Sequence, residues 1–104
     1  LNIPQNSQSD NYVCVLTDAG KHILQTGATK TVTIPANGSV AYPIGTTLTV
    51  IPTNATGCTV PITTDTLIWA DGGGTGTRTL AQYAMFTAVK TDTTTWICSG
   101  VGVS

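Results

Sequence analysis

The sequence predicts an all-β fold, in the form of a small antiparallel β-sandwich or jelly-roll-like barrel. Threonine and β-branched residues recur with a period of two, and nowhere do apolar residues follow the period of a helix. Glycine, proline or asparagine closes these runs at the spacing of about 8–12 residues that is typical of sandwiches and barrels. A chain of 104 residues can bury one thin core. We therefore divide it into an N-terminal arm, residues 1–10, and a single β-domain, residues 11–104.

The first half of the domain is predicted to contain short strands joined by tight turns. Residues 12–23 form a strand, a turn at residues 18–20 and the start of a second strand. The segment TVTIPANGSVAY, residues 31–42, alternates on both sides of a Pro-Ala-Asn-Gly turn and therefore predicts a hairpin. In the next strand, residues 47–50, the apolar side chains share one face and the threonines share the other.

The second half continues the same pattern. CTVPIT, residues 58–63, predicts a strand at a sheet edge or beside a bulge, because Pro61 cannot donate a backbone hydrogen bond. A short strand follows and is interrupted by the glycine cluster 72–74. YAMFTAV, residues 83–89, is apolar on both faces, which predicts a central strand or a strand in a subunit interface. A hairpin about Asp92 completes the domain.

The surface is predicted to be polar but almost uncharged. Charged residues make up 9% of the chain, and the formal net charge is −1. The basic residues are spread along the chain and form no stripe for a nucleic acid or an anionic membrane; they are Lys21, Lys30, Arg78 and Lys90. No run approaches the ~18 apolar residues of a membrane span, and the start lacks the features of a signal peptide. We expect no nucleic-acid partner and no membrane partner.

The cysteines are predicted to be buried free thiols. Cys14, Cys58 and Cys98 cannot all pair within one chain, and none of them belongs to a C-x-x-C motif with zinc-site spacing. Each lies among β-type apolar residues, where a thiol packs as a small hydrophobe. Free thiols are typical of a protein that is assembled in a reducing cytosol.

Two motifs could indicate catalysis or phosphate binding, and for both we favour a structural interpretation. His22 follows Asp18 by four residues, as in an acid–base pair, but Asp18 and Gly20 are equally typical of a turn that precedes a strand. No serine or cysteine lies in a G-x-S-x-G motif. The segment DGGGTGTR, residues 71–78, lacks the G-K-[ST] signature and a following helix, so it predicts a flexible loop.

The remaining candidate residues do not form a site pattern either. The carboxylates are scattered over turn-like positions without paired or D-x-D spacing; they are Asp10, Asp18, Asp65, Asp71 and Asp92. The sequons at Asn37 and Asn54 are interpreted as turn residues. Trp69 and Trp96 could form a sugar-stacking platform, although packing in the core or an interface is the favoured interpretation. We assign no catalytic, cofactor-binding or metal-binding residue and expect no cofactor.

Three segments occur in an informative order and together cover nearly the whole chain; they are NIPQNSQSDNYVCVLTDAGKHI, TIPANGSVAYPIGTTLTVI and RTLAQYAMFTAVKTDTTTWICSG. They resemble a family of small β-structured virion proteins and terminal domains of tailed bacteriophages. That family combines a polar arm, a D-x-G-K-H-I turn, an IPAN hairpin and a closing strand with a tryptophan before S-G. The three cysteines and the long glycine loop depart from the family pattern.

The resemblance implies a noncatalytic virion structural protein, either a capsid decoration (cement) protein or a head-fibre module. It implies a homotrimer that contacts other virion proteins, such as the major capsid protein or fibre and tail proteins. Its location would be the virion, assembled in the cytoplasm of the host bacterium. The alternative is the receptor-binding terminal domain of a tail fibre that recognises host-surface glycan. In the first interpretation, residues 1–10 are a docking arm that gains order on a neighbouring subunit.

Overall fold

The computed structural model describes residues 2–104, and Leu1, the first residue of the predicted arm, lies outside them. In chain order the strands are β1 (Gln5–Gln8), β2 (Tyr12–Val13), β3 (His22–Gln25), β4 (Lys30–Thr33), β5 (Thr47–Pro52), β6 (Cys58–Val60), β7 (Thr66–Trp69), β8 (Arg78–Leu80), β9 (Phe86–Asp92) and β10 (Thr95–Ser99). A single 3₁₀ turn, Leu16–Asp18, is the one helical element of these residues. The prediction of a β fold is therefore confirmed.

The strands form two mixed sheets. The larger sheet has six strands in the order β1-β3-β5-β9-β10-β7, and the smaller has four in the order β2-β4-β6-β8. From β1 to β6, successive strands alternate between the sheets, so the chain winds as a coil that adds one strand to each sheet per turn. A strand that returns to its sheet after such a crossing runs parallel to its predecessor.

The antiparallel pairing predicted for the sandwich or barrel is thus wrong, and so is the barrel alternative. Five of the eight strand pairs among residues 2–104 are parallel, because the chain crosses to the other sheet instead of turning back beside itself. Neither sheet closes into a barrel, since β1 and β7 are free edges of the larger sheet. The predicted hairpin about Asp92 is confirmed, because β9 and β10 pair antiparallel across it.

The predicted hairpin over residues 31–42 does not form. A turn is present, in which the Ser39 N–H donates to the Ala36 carbonyl at 2.9 Å. However, β4 is followed by a loop that leads into β5 of the other sheet, and residues 40–42 belong to no strand. The side chain of Tyr42 is buried, and its hydroxyl donates to the Val15 carbonyl at 2.6 Å. The turn chemistry was recognised correctly, but the turn serves a crossing between sheets.

The strand positions predicted from Pro61 and from the apolar run 83–89 are only partly correct. β6 lies between β4 and β8, so it is not an edge strand. Pro61 comes directly after the strand, and it takes part in the pairing only through its carbonyl, which accepts from the Ile34 N–H at 3.0 Å. β9 lies between β5 and β10, which confirms the predicted central strand. That strand begins only at Phe86, so Tyr83 and Met85 lie outside it and are exposed.

One apolar core receives side chains from both sheets. Its members include Trp96 and Phe86 from the larger sheet and Val32 and Leu80 from the smaller, all at most 1% exposed. The three cysteines are free and buried in this core, as predicted. Inward positions of β9 alternate regularly, and the last of them is occupied by a lysine, Lys90, which is 2% exposed.

The N-terminal arm is part of the sheet. β1 pairs in parallel with β3, and the backbone N–H groups of His22 and Thr26 donate to the carbonyls of Pro4 and Gln8. The expectation that this arm gains order only on a neighbouring subunit does not fit this arrangement, because residues 5–8 already have a partner strand in the same chain. Polar residues are compatible with this position since an edge strand exposes much of its surface.

Candidate functional site

Asp18 is the centre of a buried polar cluster that fastens the arm to the domain. Its side chain is 1% exposed and accepts three hydrogen bonds: from the Asn6 amide at 2.9 Å, the Tyr12 hydroxyl at 2.6 Å and the Val15 N–H at 2.8 Å. The 3₁₀ turn brings the carboxylate back toward Val15, and β1 supplies Asn6. Burial is the main cause that raises the pKa of Tyr12 to about 12, and the hydrogen bond to Asp18 is the second.

His22 and Asp18 do not form a catalytic pair. The His22 ring nitrogens lie 3.1 Å from the Ile3 carbonyl and 3.1 Å from the Gln5 side-chain oxygen. Asp18 bonds to other residues, and no hydrogen bond or ion pair joins the two side chains. Both residues therefore contact the arm, and each does so through separate hydrogen bonds.

The glycine cluster is a closed loop beside β7. The Gly73 N–H donates to the Trp69 carbonyl at 2.8 Å, and the Gly76 N–H donates to the Leu67 carbonyl at 3.1 Å. Arg78 donates to the Thr75 carbonyl at 3.3 Å and lies over the Trp69 ring, 5.4 Å from its centroid. Because these N–H groups are already used and β8 follows the loop, the segment does not have the geometry of a phosphate-binding loop.

The two tryptophans do not share a surface. Trp96 is 1% exposed and packs edge-on against Tyr42, with 5.6 Å between ring centroids. Its indole N–H has no hydrogen-bond partner among the described residues. Trp69 is half-buried under Arg78. A platform formed by both rings is therefore excluded, and core packing of Trp96 is confirmed.

The other carboxylates and the sequon asparagines are dispersed. Asp10 forms an ion pair with Lys30 at 3.2 Å. The hydrogen bond from the Asn11 backbone is the larger cause that lowers the pKa of Asp10, and Lys30 is the second. Asn54 accepts bonds from Thr56 and is a turn residue, as predicted. Asn37 is also a turn residue, and it contacts Asp65 and Lys90. Within residues 2–104 no cluster of three or more histidine, cysteine or acidic side chains could hold a metal ion, and none of the helical segments could span a bilayer.

A shallow cavity of about 90 Å³ lies between β4, β6 and β8 and is lined by Thr29, Lys30, Thr56, Gly57, Cys58, Thr59 and Thr79. Small-molecule sites usually enclose about 300 Å³ or more. This cavity is therefore too small for a sugar ring to be enclosed in it.

Several large apolar side chains are exposed, and we name two groups of them by position. The end patch consists of Tyr83, Met85 and Val101, which are 66%, 54% and 86% exposed. The Met85 N–H donates to the Val101 carbonyl at 3.2 Å, which holds two of its members together. Tyr83 has a φ of 64°, a left-handed backbone conformation that is uncommon for a bulky residue. The period-two pattern missed this patch, because it assigned Tyr83 to a strand.

The second surface is the outer row, which crosses the larger sheet. Ile97 of β10 lies opposite Ile68 of β7 on one side and Val89 of β9 on the other. Ile97 is 40% and Val89 38% exposed, whereas their chain neighbours Ala88 and Cys98 are buried on the opposite face. The alternation predicted both faces of β9 to be apolar, and this row is the outer one.

No family model, curated protein or solved structure matches the chain.

The thiols are expected to be unreactive in the native protein at about pH 8. Burial raises the pKa of Cys14 to about 12 and of Cys58 to about 11, and it also raises that of Cys98. Only the thiolate reacts with a disulfide reagent, so titration should detect no fast thiol until denaturant is added and then three. One cysteine reacting equally fast in the native and unfolded protein would contradict this expectation.

The same pKa shifts predict loss of stability in alkali. Cys14 and Cys58 have folded pKa values above their ordinary value of 9.0. Their contribution to stability is therefore complete below pH 9.0 and is lost as the pH rises through about 11 and about 12. Urea midpoints measured across this range should fall, and a midpoint that stays constant would contradict the shifts.

Proposed function

We propose that this chain is a noncatalytic structural module of a tailed-bacteriophage virion, serving as a capsid decoration protein or a head-fibre module. In this proposal the two sheets pack face to face as a sandwich, and three copies assemble into a homotrimer. The resemblance of three ordered segments to phage virion proteins supports the virion role. The common core that both sheets share supports the sandwich.

The outer row is the observation that carries the assembly role. Ile68, Ile97 and Val89 are aligned on three adjacent strands, so their side chains form one continuous aliphatic strip on a sheet face. Exposed contiguous apolar surface typically marks a protein interface. A domain of this size also buries a modest share of its surface on its own, so burying the strip against other copies would add stability. The strip is therefore the contact proposed between copies.

The scarcity of ion pairs on the surface is suited to a particle that is exposed to variable salt concentrations. Lys30–Asp10 is the one ion pair among residues 2–104, and it lies at the surface. Apolar and hydroxyl contacts are not screened by added salt, whereas exposed ion pairs are weakened by it. An assembly formed through such contacts keeps its strength when the ionic strength changes.

Sedimentation equilibrium at micromolar concentration tests the homotrimer. The wild-type protein is expected to sediment as a trimer, and the double variant Val89→Thr, Ile97→Thr as a folded monomer, because threonine keeps the strand propensity but adds a hydroxyl to the strip. Val13→Thr is the matched control, since Val13 is 55% exposed on the smaller sheet. A wild-type monomer would refute the assembly role, and an intact trimer of the double variant would refute its contact surface.

The tail-fibre alternative is favoured by one observation, the exposure of Tyr83 in the end patch. The sequence pattern had assigned every aromatic near the C-terminus to a strand, which argued against a receptor-binding tip, and for Tyr83 that assignment is wrong. An exposed aromatic ring beside aliphatic side chains can stack on a sugar. A receptor-binding domain of this kind would recognise host-surface glycan through a shallow contact.

Two binding assays separate the alternatives. A decoration or head-fibre role predicts saturable binding to capsids that lack this protein and no binding to host cells. Binding to host cells that is competed by surface polysaccharide and lost in Tyr83→Ala would favour the tail fibre. Deletion of residues 1–10 is a poor probe, because it removes β1 and the Asn6 contact to Asp18 as well as any docking function.

A further inference from the structure

Lys90 places a primary amine inside the core. It is the last inward residue of β9 and is 2% exposed. Its Nζ donates to the Asn37 Oδ1 at 2.7 Å and to the Tyr42 carbonyl at 2.8 Å. No carboxylate oxygen of residues 2–104 lies within ion-pair distance of this nitrogen. A lysine amine held at a fixed contact in a protein can act as a nucleophile.

The Asn37 carboxamide accepts a hydrogen bond from that amine, and the Asp65 carboxyl group accepts one from the backbone of Asn37. The Asn37 N–H donates to Asp65 Oδ2 at 2.9 Å, and Asp65 is 9% exposed. Asp65 is the one carboxyl group bonded to either residue in the described part of the chain. Three segments far apart in sequence thus bring an amine, an amide and an acid together at the edge of the core.

The surroundings of this point are apolar and aromatic. Trp96 lies opposite Lys90 on the neighbouring strand, and its ring meets Tyr42 edge-on. Both rings are at most 3% exposed. The side of the contact that faces the core is therefore apolar and poorly accessible to water.

We propose that Lys90 and Asn37 join in an intramolecular isopeptide bond. The neutral Lys90 Nζ attacks Cγ of Asn37, an Nζ–Cγ bond forms, and the bond from Cγ to Nδ2 breaks. One amine proton passes to the departing Nδ2, which leaves as ammonia, so amine and carboxamide give a secondary amide and ammonia with no other reactant. Asp65 holds Asn37 in place by accepting a hydrogen bond from its backbone N–H.

The positions of the reacting groups supply most of what this reaction needs. In solution an amine does not displace ammonia from an amide at an appreciable rate, but a fixed near-contact raises the effective concentration of the amine by many orders of magnitude. The hydrogen bond to Oδ1 keeps the amine beside the carbonyl that is attacked. The product would link β9 covalently to the loop between β4 and β5, across 53 positions of sequence. This inference does not depend on the proposed virion role.

Intact-mass spectrometry of the purified wild-type chain is the first test. The expected mass is the sequence mass less one molecule of ammonia. Trypsin should then fail to cleave after Lys90 and should release residues 31–78 joined to residues 79–104. The full sequence mass, unchanged after long incubation of the folded protein, would overturn the proposal.

Asn37 precedes Gly38, so a second reaction must be distinguished. Cyclisation of Asn37 to a succinimide also loses ammonia, but it leaves the Lys90 amine free. In that case trypsin cleaves after Lys90 and no joined peptide appears. Loss of ammonia together with normal cleavage at Lys90 would therefore overturn the isopeptide bond.

Matched variants test the assigned roles. Lys90→Arg is expected to retain the full sequence mass, because arginine is not an amine nucleophile. Asp65→Ala is expected to cross-link more slowly than the wild type, because the Asn37 N–H loses its acceptor. Lys30→Arg and Asn54→Ala, at partly exposed positions away from this contact, should cross-link as the wild type does. A joined peptide in Asp65→Ala at the wild-type level would refute the role of Asp65. Circular dichroism shows which variants remain folded, and the wild-type mass decides the bond independently of them.

Discussion

Replacing Asp18 with alanine is expected to lower the free energy of unfolding by about 3–5 kcal/mol, because one buried partner of a polar cluster is lost. The substitution leaves the Asn6 amide, the Tyr12 hydroxyl and the Val15 N–H without their acceptor. Water cannot replace the carboxylate freely, since Asp18 is 1% exposed. Urea denaturation at neutral pH measures the loss.

Asp71→Ala provides the control, since that aspartate is exposed in the glycine loop and accepts no side-chain hydrogen bond in the described chain. A change within about 0.5 kcal/mol is expected there. Amide exchange of residues 5–8 should also become faster in Asp18→Ala, because Asn6 ties β1 to the carboxylate. Equal stability of the two variants would show that the Asp18 cluster contributes nothing to the fold.

Gly57→Ala is expected to destabilise the protein by about 3 kcal/mol or more, because the new methyl group has no space. Gly57 has a φ of 68°, and a Cβ at this position would lie 2.0 Å from the carbonyl oxygen of Leu80. The next residue, Cys58, pairs with Leu80 where β6 meets β8. The chain can accept the methyl group only by separating these two strands.

Gly20→Ala is the matched control for this clash. Gly20 has a similar φ of 75°, but a Cβ there meets no atom within 4 Å. It should therefore show only the backbone strain of a left-handed alanine, about 1 kcal/mol. Thermal or urea unfolding of both variants measures the difference. Similar losses at the two positions would mean that β6 and β8 can move apart at little cost.

Local chemistry explains which elements could be predicted. The Asp18–Gly20 turn, the Asp92 hairpin and the central position of β9 all follow from turn residues and apolar alternation over a few positions. The burial of the three thiols follows from their apolar neighbours in the strands. Each of these features depends on residues that lie close together in the chain.

The order of the strands is a different matter. The Pro-Ala-Asn-Gly turn after β4 is chemically able to close a hairpin, and the chain instead uses the loop to cross to the other sheet. Parallel pairing and crossing depend on which apolar faces can share one core, and no window of a few residues contains that information. The position of β1 in the sheet could not be predicted either, because its residues are all polar and show no apolar alternation.

The amino-acid sequence alone determined that this protein is built of short strands with an almost uncharged surface, because composition and period-two alternation act locally. Only the tertiary structure decided that Lys90, Asn37 and Asp65 meet at the edge of the core and that Tyr83 points to solvent. The physical reason is that contacts across tens of residues arise from the packing of two sheets around one core. The residues that such packing brings together are usually remote from one another in the chain.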